Sequence, residues 1–225
     1  MDDDMASQLS AIHCSSISDA MDRLGIPGST IGIAPLANGM KLAGPAYTVR
    51  YAPVRRPAGT VGDYLDEVEP GSVIVLDNQG RMDCTVWGDI LTTVALSRGI
   101  AGTAINGVCR DVHKAIETGY PIYSKGRFMR TGKDRVEVVE IGGAVTLGDV
   151  QVRSGDIIVG DDDGVVVIPQ NHASAIIAVA AEISQKENAI IGDALAMKSL
   201  RSARSKHGYH SLQSSDDSCG HHLKM

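Results

Sequence analysis

The stretch that most constrains the fold runs from Trp87 to Val112. Ile90, Leu91, Val94, Ala95 and Leu96 give a helix its apolar face, and Gly99 can close it. Gly102 to Ile105 follows as a short apolar strand, and Asn106-Gly107 is read as a turn that delivers Arg110 and Asp111. A further helix from Val112 to Thr118 completes the pattern. Helix, buried strand and helix in so short a span belong to layered α/β architecture. The composition agrees: with one Trp and one Phe in 225 residues, the core must be built from Val, Ile, Leu and Ala.

The flanking segments extend this picture. Residues 7–24 have apolar positions at helical spacing (Ile12, Ile17, Ala20, Met21 and Leu24), ended by Gly25 and Pro27. Tyr47–Tyr51 and Ser72–Leu76 read as strands, and Thr60–Val68 as a short helix capped by Thr60. From residue 120 the pattern turns β-rich: Pro121–Tyr123, Val136–Ile141, Ala144–Leu147, Val150–Val152, Asp156–Gly160 and Gly164–Ile168. Pro169 stops the last strand, and Asn171 is read as the cap of a long helix reaching Met197. The expectation is one domain over 7–197, then a disordered polar tail over 201–225 with no core-forming pattern.

Charge and composition exclude several classes. The net charge of −6 argues against general nucleic-acid binding, which needs a basic surface. No apolar run approaches the roughly 20 residues of a membrane span, and the acidic Met1–Asp4 start is unlike a signal peptide. Cys14, Cys84, Cys109 and Cys219 match no zinc spacing and read as buried or incidental thiols, in keeping with a cytoplasmic protein. Neither a Walker loop, GxSxG, HExxH nor GxGxxG is present.

Three places could carry chemistry. Arg110-Asp111 follows a buried strand, where α/β proteins place ligands. Arg can grip a carboxylate with paired hydrogen bonds, and Asp can hold a hard divalent cation. The plainer alternative is a surface Arg and an Asp that caps the next helix. Gly88-Asp89-Ile90-Leu91 reads as a helix N-terminus able to take a carboxylate or phosphate, with Asp89 as an ordinary first-turn acid as the alternative. Asp161-Asp162-Asp163-Gly164 lacks the spacing of a calcium loop and reads as a hairpin turn. The histidines of the tail, His207, His210, His221 and His222, carry no functional weight. Trp87 either packs beneath the site or belongs to the core.

In this order the motifs resemble those of one family. Trp87–Leu91, Arg98–Gly102 and Asn106–Val112 are similar to the glycine-to-Arg-Asp signature of the RraA-like group. Asp156–Pro169 resembles its second hallmark, and Ser18–Gly25 its first helix; the likeness covers roughly residues 8–195. The group includes the 4-hydroxy-4-methyl-2-oxoglutarate / 4-carboxy-4-hydroxy-2-oxoadipate aldolases and the regulator of ribonuclease activity A. Some members carry a menaquinone methyltransferase label, for which this chain has no S-adenosylmethionine glycine loop.

The resemblance implies an α/β fold, a compact αββα sandwich like the phosphohistidine swivelling domain. It also implies trimers or hexamers with sites between subunits. The implied activity is that of a class II aldolase or oxaloacetate decarboxylase, a lyase acting on 2-oxo acids through a pyruvate enolate with Mg²⁺ or Mn²⁺. Carried over, Arg110 binds the pyruvyl unit and Asp111 holds the metal. Gly88, Asp89, Ile90 and Leu91 cradle the substrate, and Asp89 relays a proton. Glu187 resembles an acidic position that reaches a neighbouring subunit's metal. The chain departs from the aldolases where their acidic residue, three positions after the Arg-Asp aspartate, is replaced by Lys114, preceded by His113. Decarboxylation needs no base for a substrate hydroxyl, so it is expected at least as strongly as aldol cleavage. A regulatory binding module and an enolate enzyme with another substrate are the alternatives.

Overall fold

The computed structural model describes residues 5, 8, 9, 11–55, 61–197 and 199–209. Its elements are α1 (Cys14–Leu24), β1 (Ala34–Pro35), β2 (Leu42–Pro53), β3 (Val73–Thr85), α2 (Asp89–Ser97), β4 (Gly102–Cys109), α3 (Val112–Thr118) and β5 (Ile122–Arg127). They continue with β6 (Val136–Ile141), β7 (Val145–Leu147), β8 (Val150–Val152), β9 (Ile157–Asp161), β10 (Gly164–Ile168), α4 (Ala173–Met197) and α5 (Leu200–Lys206). The fold is mixed α/β. The main sheet runs β1-β5-β4-β3-β2-β9-β10, with β6 on β2, and its centre β2-β3-β4-β5 is parallel.

β2 joins two halves of the sheet. Leu42–Pro45 pairs antiparallel with β9, while Ala46–Arg50 pairs parallel with β3. β3-α2-β4 and β4-α3-β5 are crossovers of the kind that parallel strands require. Ala95 of α2, Ala115 of α3, Trp87 and Tyr120 join the core cluster built on β2–β5. α1 and α4 cover β9 and β10 with a separate apolar cluster that includes Ile17, Met21, Ile176, Ile177 and Ile183. Helices thus lie on two distinct apolar surfaces of one sheet system.

Several expected boundaries move. The expected strands at 136–141, 150–152 and 164–168 match β6, β8 and β10, and α3 matches its expected span. The first helix breaks at Ile12–His13 rather than running unbroken from residue 7, of which residue 7 itself lies outside the described residues. His13 is extended, and the N-terminal amide of α1, Cys14 N, donates to Asp161 Oδ2 at 2.9 Å. The cap therefore comes from β9, 147 residues away. The short helix is a 3₁₀ turn, Asp63–Glu67, behind Gly62; Thr60 lies outside the described residues.

Asn106-Gly107 is not a turn. Both residues remain in β4, which is buried at every position. The reason lies in β3, where Gln79 and Gly80 adopt left-handed backbone and bulge outward. Register passes from Asp77 opposite Asn106 to Arg81 opposite Gly107, so β4 runs straight past the bulge. Nor does Asn171 cap α4. It sits inside a 3₁₀ turn, Gln170–His172, whose first amide donates to Asp156 Oδ1 at 3.2 Å.

Asp161–Gly164 is the β9–β10 hairpin turn, as expected. Cys14, Cys84 and Cys109 are buried free thiols, and burial pushes Cys14 and Cys109 up, away from thiolate character; Cys219 lies outside the described residues. Part of the expected tail is ordered: residues 201–206 belong to α5, which packs Ala203 against Ile190 of α4. His207 Nε2 lies 2.7 Å from Asp193 Oδ2. Residues 210–225, with His210, His221 and His222, lie outside the described residues. Among the described residues no helix is long and apolar enough to cross a membrane.

Candidate functional site

The carboxyl ends of β3 and β4 deliver the site. β3 ends at Thr85, and Val86, Trp87 and Gly88 lead directly into α2. β4 ends at Cys109, and Arg110 and Asp111 lead into α3. A backbone hydrogen bond from Arg110 N to Trp87 O, 3.0 Å, ties the two connections together. Trp87 is buried; its Nε1 donates to Thr92 Oγ1 at 3.0 Å, and its ring stacks on Tyr120 at 6.1 Å with planes 4° apart. Trp87 therefore both belongs to the core and forms the floor of the site.

Asp111 has left-handed backbone, φ 54°, and its side chain makes no cap bond to α3. Instead it reaches back across the gap. Asp111 Oδ2 lies 3.3 Å from Arg110 Nε and 3.5 Å from Asp89 N at the start of α2. Strained backbone at a non-glycine residue is tolerated where it aims a side chain at a site. Gly88 lies between these groups. Its backbone is extended, which any residue adopts, so the requirement for glycine is one of space. A Cβ there would meet Asp111 Oδ2 at 2.8 Å and Arg110 Nε at 3.3 Å.

Gly88 makes no side-chain cap, and the α2 ladder begins with Thr92 N donating to Gly88 O at 3.0 Å. The first amides of α2 thus lie outside the ladder, at the positive end of the helix. Ile90 N donates to Asp89 Oδ1 at 2.8 Å. The arrangement is two carboxylates, one guanidinium and a helix N-terminus around a bare glycine.

These groups border a cleft of about 220 Å³ lined by Gly88, Asp89, Ile90, Leu91 and Arg110. Asp111 adjoins it through Gly88 and Asp89. The cleft also takes Val61, Gly62, Thr85 and Thr131, none of which lies in the motifs that mark the site in the sequence. Thr131 arrives through a bridge to Thr85, 46 residues away in the chain, and no local motif marks either residue. A larger cavity of about 570 Å³, near Arg153 and His172, contains none of the expected residues.

The remaining expected residues lie elsewhere. Lys114, one turn into α3, pairs its Nζ with Glu117 Oε2 at 3.5 Å; His113 is exposed. Glu187 lies on α4 in the layer that covers β9 and β10, and Ser16 Oγ donates to its Oε2 at 3.5 Å. Within one chain it belongs to that layer and not to the Arg110 cleft. Among the described residues no group of three or more His, Cys, Asp and Glu could hold a metal ion. Any cation at the cleft would therefore rest on one or two carboxylates, with water and ligand oxygens completing its shell, the manner in which Mg²⁺ is commonly held.

The family model described as RraA-like, aldolase/RraA, matches residues 14–167. Protein DlpA of Legionella pneumophila is 41% identical over 204 residues; the match covers 88% of this chain and 33% of that protein, so the chain spans about a third of that relative's length. A Halalkalibacterium halodurans protein named "Putative 4-hydroxy-4-methyl-2-oxoglutarate aldolase" is 34% identical over 201 residues, covering 87% of this chain and 92% of that one. Among solved structures, an uncharacterized protein from Pseudomonas syringae pv. tomato superposes with a TM-score of 0.84 at 40% identity, over 91% of this chain and 98% of that one. Streptomyces coelicolor RraAS2, described as an unusual member of the RNase ES inhibitor RraA protein family, gives 0.75 at 29% identity, over 83% and 96%.

Proposed function

This chain belongs to the RraA-like family, and from that premise we propose that it is a carbon–carbon lyase of 2-oxo acids. It would act through a pyruvate enolate, by oxaloacetate decarboxylation, by aldol cleavage of 4-hydroxy-4-methyl-2-oxoglutarate, or by both. The observation that carries the reading is the convergence of Arg110, Asp111 and the N-terminus of α2 on one cleft over Gly88. The aldolase name of the Halalkalibacterium halodurans relative supports lyase chemistry.

Each residue has a role that its surroundings favour. The terminal nitrogens of Arg110 bind the carboxylate or keto oxygen of the pyruvyl unit, while Asp111 steadies Nε from the other side. The first amides of α2 orient the substrate carboxylate, and Gly88 lets it approach the backbone. Asp89 would relay a proton to the enolate carbon through water. Trp87, braced by Thr92 and Tyr120, closes the floor against bulk water. Val61, Ile90 and Leu91 offer apolar wall to the substrate's other end.

Asp111 would hold the divalent cation, Mg²⁺ or Mn²⁺. As an anionic oxygen donor its carboxylate suits a hard cation, whose shell water and substrate oxygens would complete. When bound, such a cation supplies Lewis-acid stabilisation of enolate charge. We assign Glu187 of a neighbouring subunit as a further acidic neighbour of this site in a trimer or hexamer. The protein is proposed to be cytoplasmic.

The test is Asp111→Ala, assayed for pyruvate release with Mg²⁺ or Mn²⁺. Loss of metal-dependent release is expected; full retention would overturn the assignment. Lys114, a cation where the aldolases carry an acid, favours a second reading: a non-catalytic regulatory module of the ribonuclease-regulator type. Specific capture of a protein partner with no turnover of either 2-oxo acid would support that reading instead. A diverged enolate enzyme with another substrate would turn over neither compound and capture no partner.

A further inference from the structure

Two of the α2 amides assigned above to the substrate carboxylate face the protein's own carboxylates, while the terminal nitrogens of Arg110 do not. Asp89 Oδ1 accepts from Ile90 N at 2.8 Å. Asp111 Oδ2 takes one side of Arg110 and faces Asp89 N at 3.5 Å. Gly88 brings no capping side chain, so the acceptor that Ile90 N meets at the start of α2 is the Asp89 carboxylate. The two contacts differ in how they are held. Asp111 is fixed by its backbone at the turn into α3 and wedged over Gly88. Asp89 is exposed, and among the described residues its side chain bonds only the next peptide along, a contact that one side-chain rotation breaks.

Resting on the lyase reading above, we propose that Asp89 is an internal place-holder for the substrate carboxylate. A ligand that seats on the Ile90 amide expels the Asp89 carboxylate, which enters the cleft water where the proton relay is needed. Binding and positioning are then one event. Asp89 caps Ile90 N until a ligand takes that seat, and the relay group is released only then. The design costs affinity, because every ligand competes with a tethered carboxylate at that amide.

The probe is oxalate, a small dicarboxylate with the planar shape of the pyruvate enolate, titrated calorimetrically into the full chain with Mg²⁺. Wild type is compared with Asp89→Ala and Asp89→Asn, and apo thermal melting is measured for all three. Removing the competitor should make Asp89→Ala bind oxalate about three- to tenfold tighter, the reach of one capping contact. The same variant should melt lower without ligand, since α2 loses its cap. Asp89→Asn keeps a weaker acceptor and should fall between the two on both scales. Both variants should lose kcat while KM does not rise. Equal or weaker oxalate binding by Asp89→Ala would overturn the proposal. So would equal tightening in both variants with a raised apo melting temperature, which is the signature of a removed charge alone. If wild type binds oxalate and only the ranking fails, the place-holder falls and the lyase reading stands. If none of the three binds oxalate, the seat itself is wrong and both fall.

Discussion

Gly88→Ala separates the site's geometry from the stability of the fold. The backbone at residue 88 is extended, so alanine brings no conformational strain. Its methyl would lie 2.8 Å from Asp111 Oδ2, where ordinary contact begins at 3.4 Å. The Asp111 carboxylate must therefore retreat by about 0.6 Å, and Arg110, with Nε at 3.3 Å, must adjust with it. The obstructing atom is the end of a side chain, so the stability cost should stay below about 1 kcal/mol, a melting shift of about 2–4 °C at most. Displacements of this size in a positioned site typically cost about 10- to 100-fold in rate. Pyruvate release, followed with a coupled lactate dehydrogenase assay beside a thermal melt, should show a large loss of kcat/KM with near-native melting. A variant with full activity would refute the claim that Asp111 and Arg110 act through their packing over Gly88. A variant that unfolds would refute the claim that residue 88 has no structural role beyond the site.

Further outcomes follow from other parts of the molecule. Asp161→Ala strips the acceptor from the amides of Cys14 and Asp163, and should lower stability by about 1–3 kcal/mol in a denaturant titration; no change would show that water replaces the cap. Burial pushes the Asp161 carboxyl up, but the Cys14 and Asp163 amides, the Cys14 thiol and His13 outweigh it and hold it below the usual range. Its stabilisation is thus fully present above the unfolded value near pH 4 and fades as pH falls through the lower folded value, so the gap between wild type and Asp161→Asn should narrow in acid melts. Arg110→Lys keeps the charge but loses the planar fork and its Nε partner, and should lower kcat/KM about 10- to 100-fold, read in the same pyruvate assay. Sedimentation at micromolar concentration should give three or six times the 23.7 kDa chain mass; a single-chain mass would refute the proposed oligomer.

What could be read from the sequence followed the range of the interactions. β6, β8 and β10 were legible because each is a short run of β-formers between turn residues. The candidate site was legible because Gly88–Leu91 and Arg110-Asp111 are local motifs at the ends of consecutive strands; the structure brings Gly88–Leu91 and Arg110 to one cleft, with Asp111 beside it. Helix entries were not legible. The carboxylates at α1 and at the turn before α4 belong to Asp161 and Asp156, far along the chain. Asn106-Gly107 carries a strong turn signal, yet the bulge at Gln79-Gly80 in the neighbouring strand decides its conformation. Thr85 and Thr131 became cleft residues only through a bridge between distant segments. Asp111 illustrates both sides: its position was evident, but its left-handed backbone and backward reach to α2 depend on Gly88 leaving room.

The most direct test is pyruvate release from oxaloacetate and from 4-hydroxy-4-methyl-2-oxoglutarate, each with Mg²⁺, with Mn²⁺ and with EDTA, against a no-enzyme control. The account predicts metal-dependent release from oxaloacetate that EDTA abolishes; release from the second substrate as well would show that Lys114 leaves aldol chemistry intact. Release from neither compound with either metal, or an undiminished rate in EDTA, would contradict it.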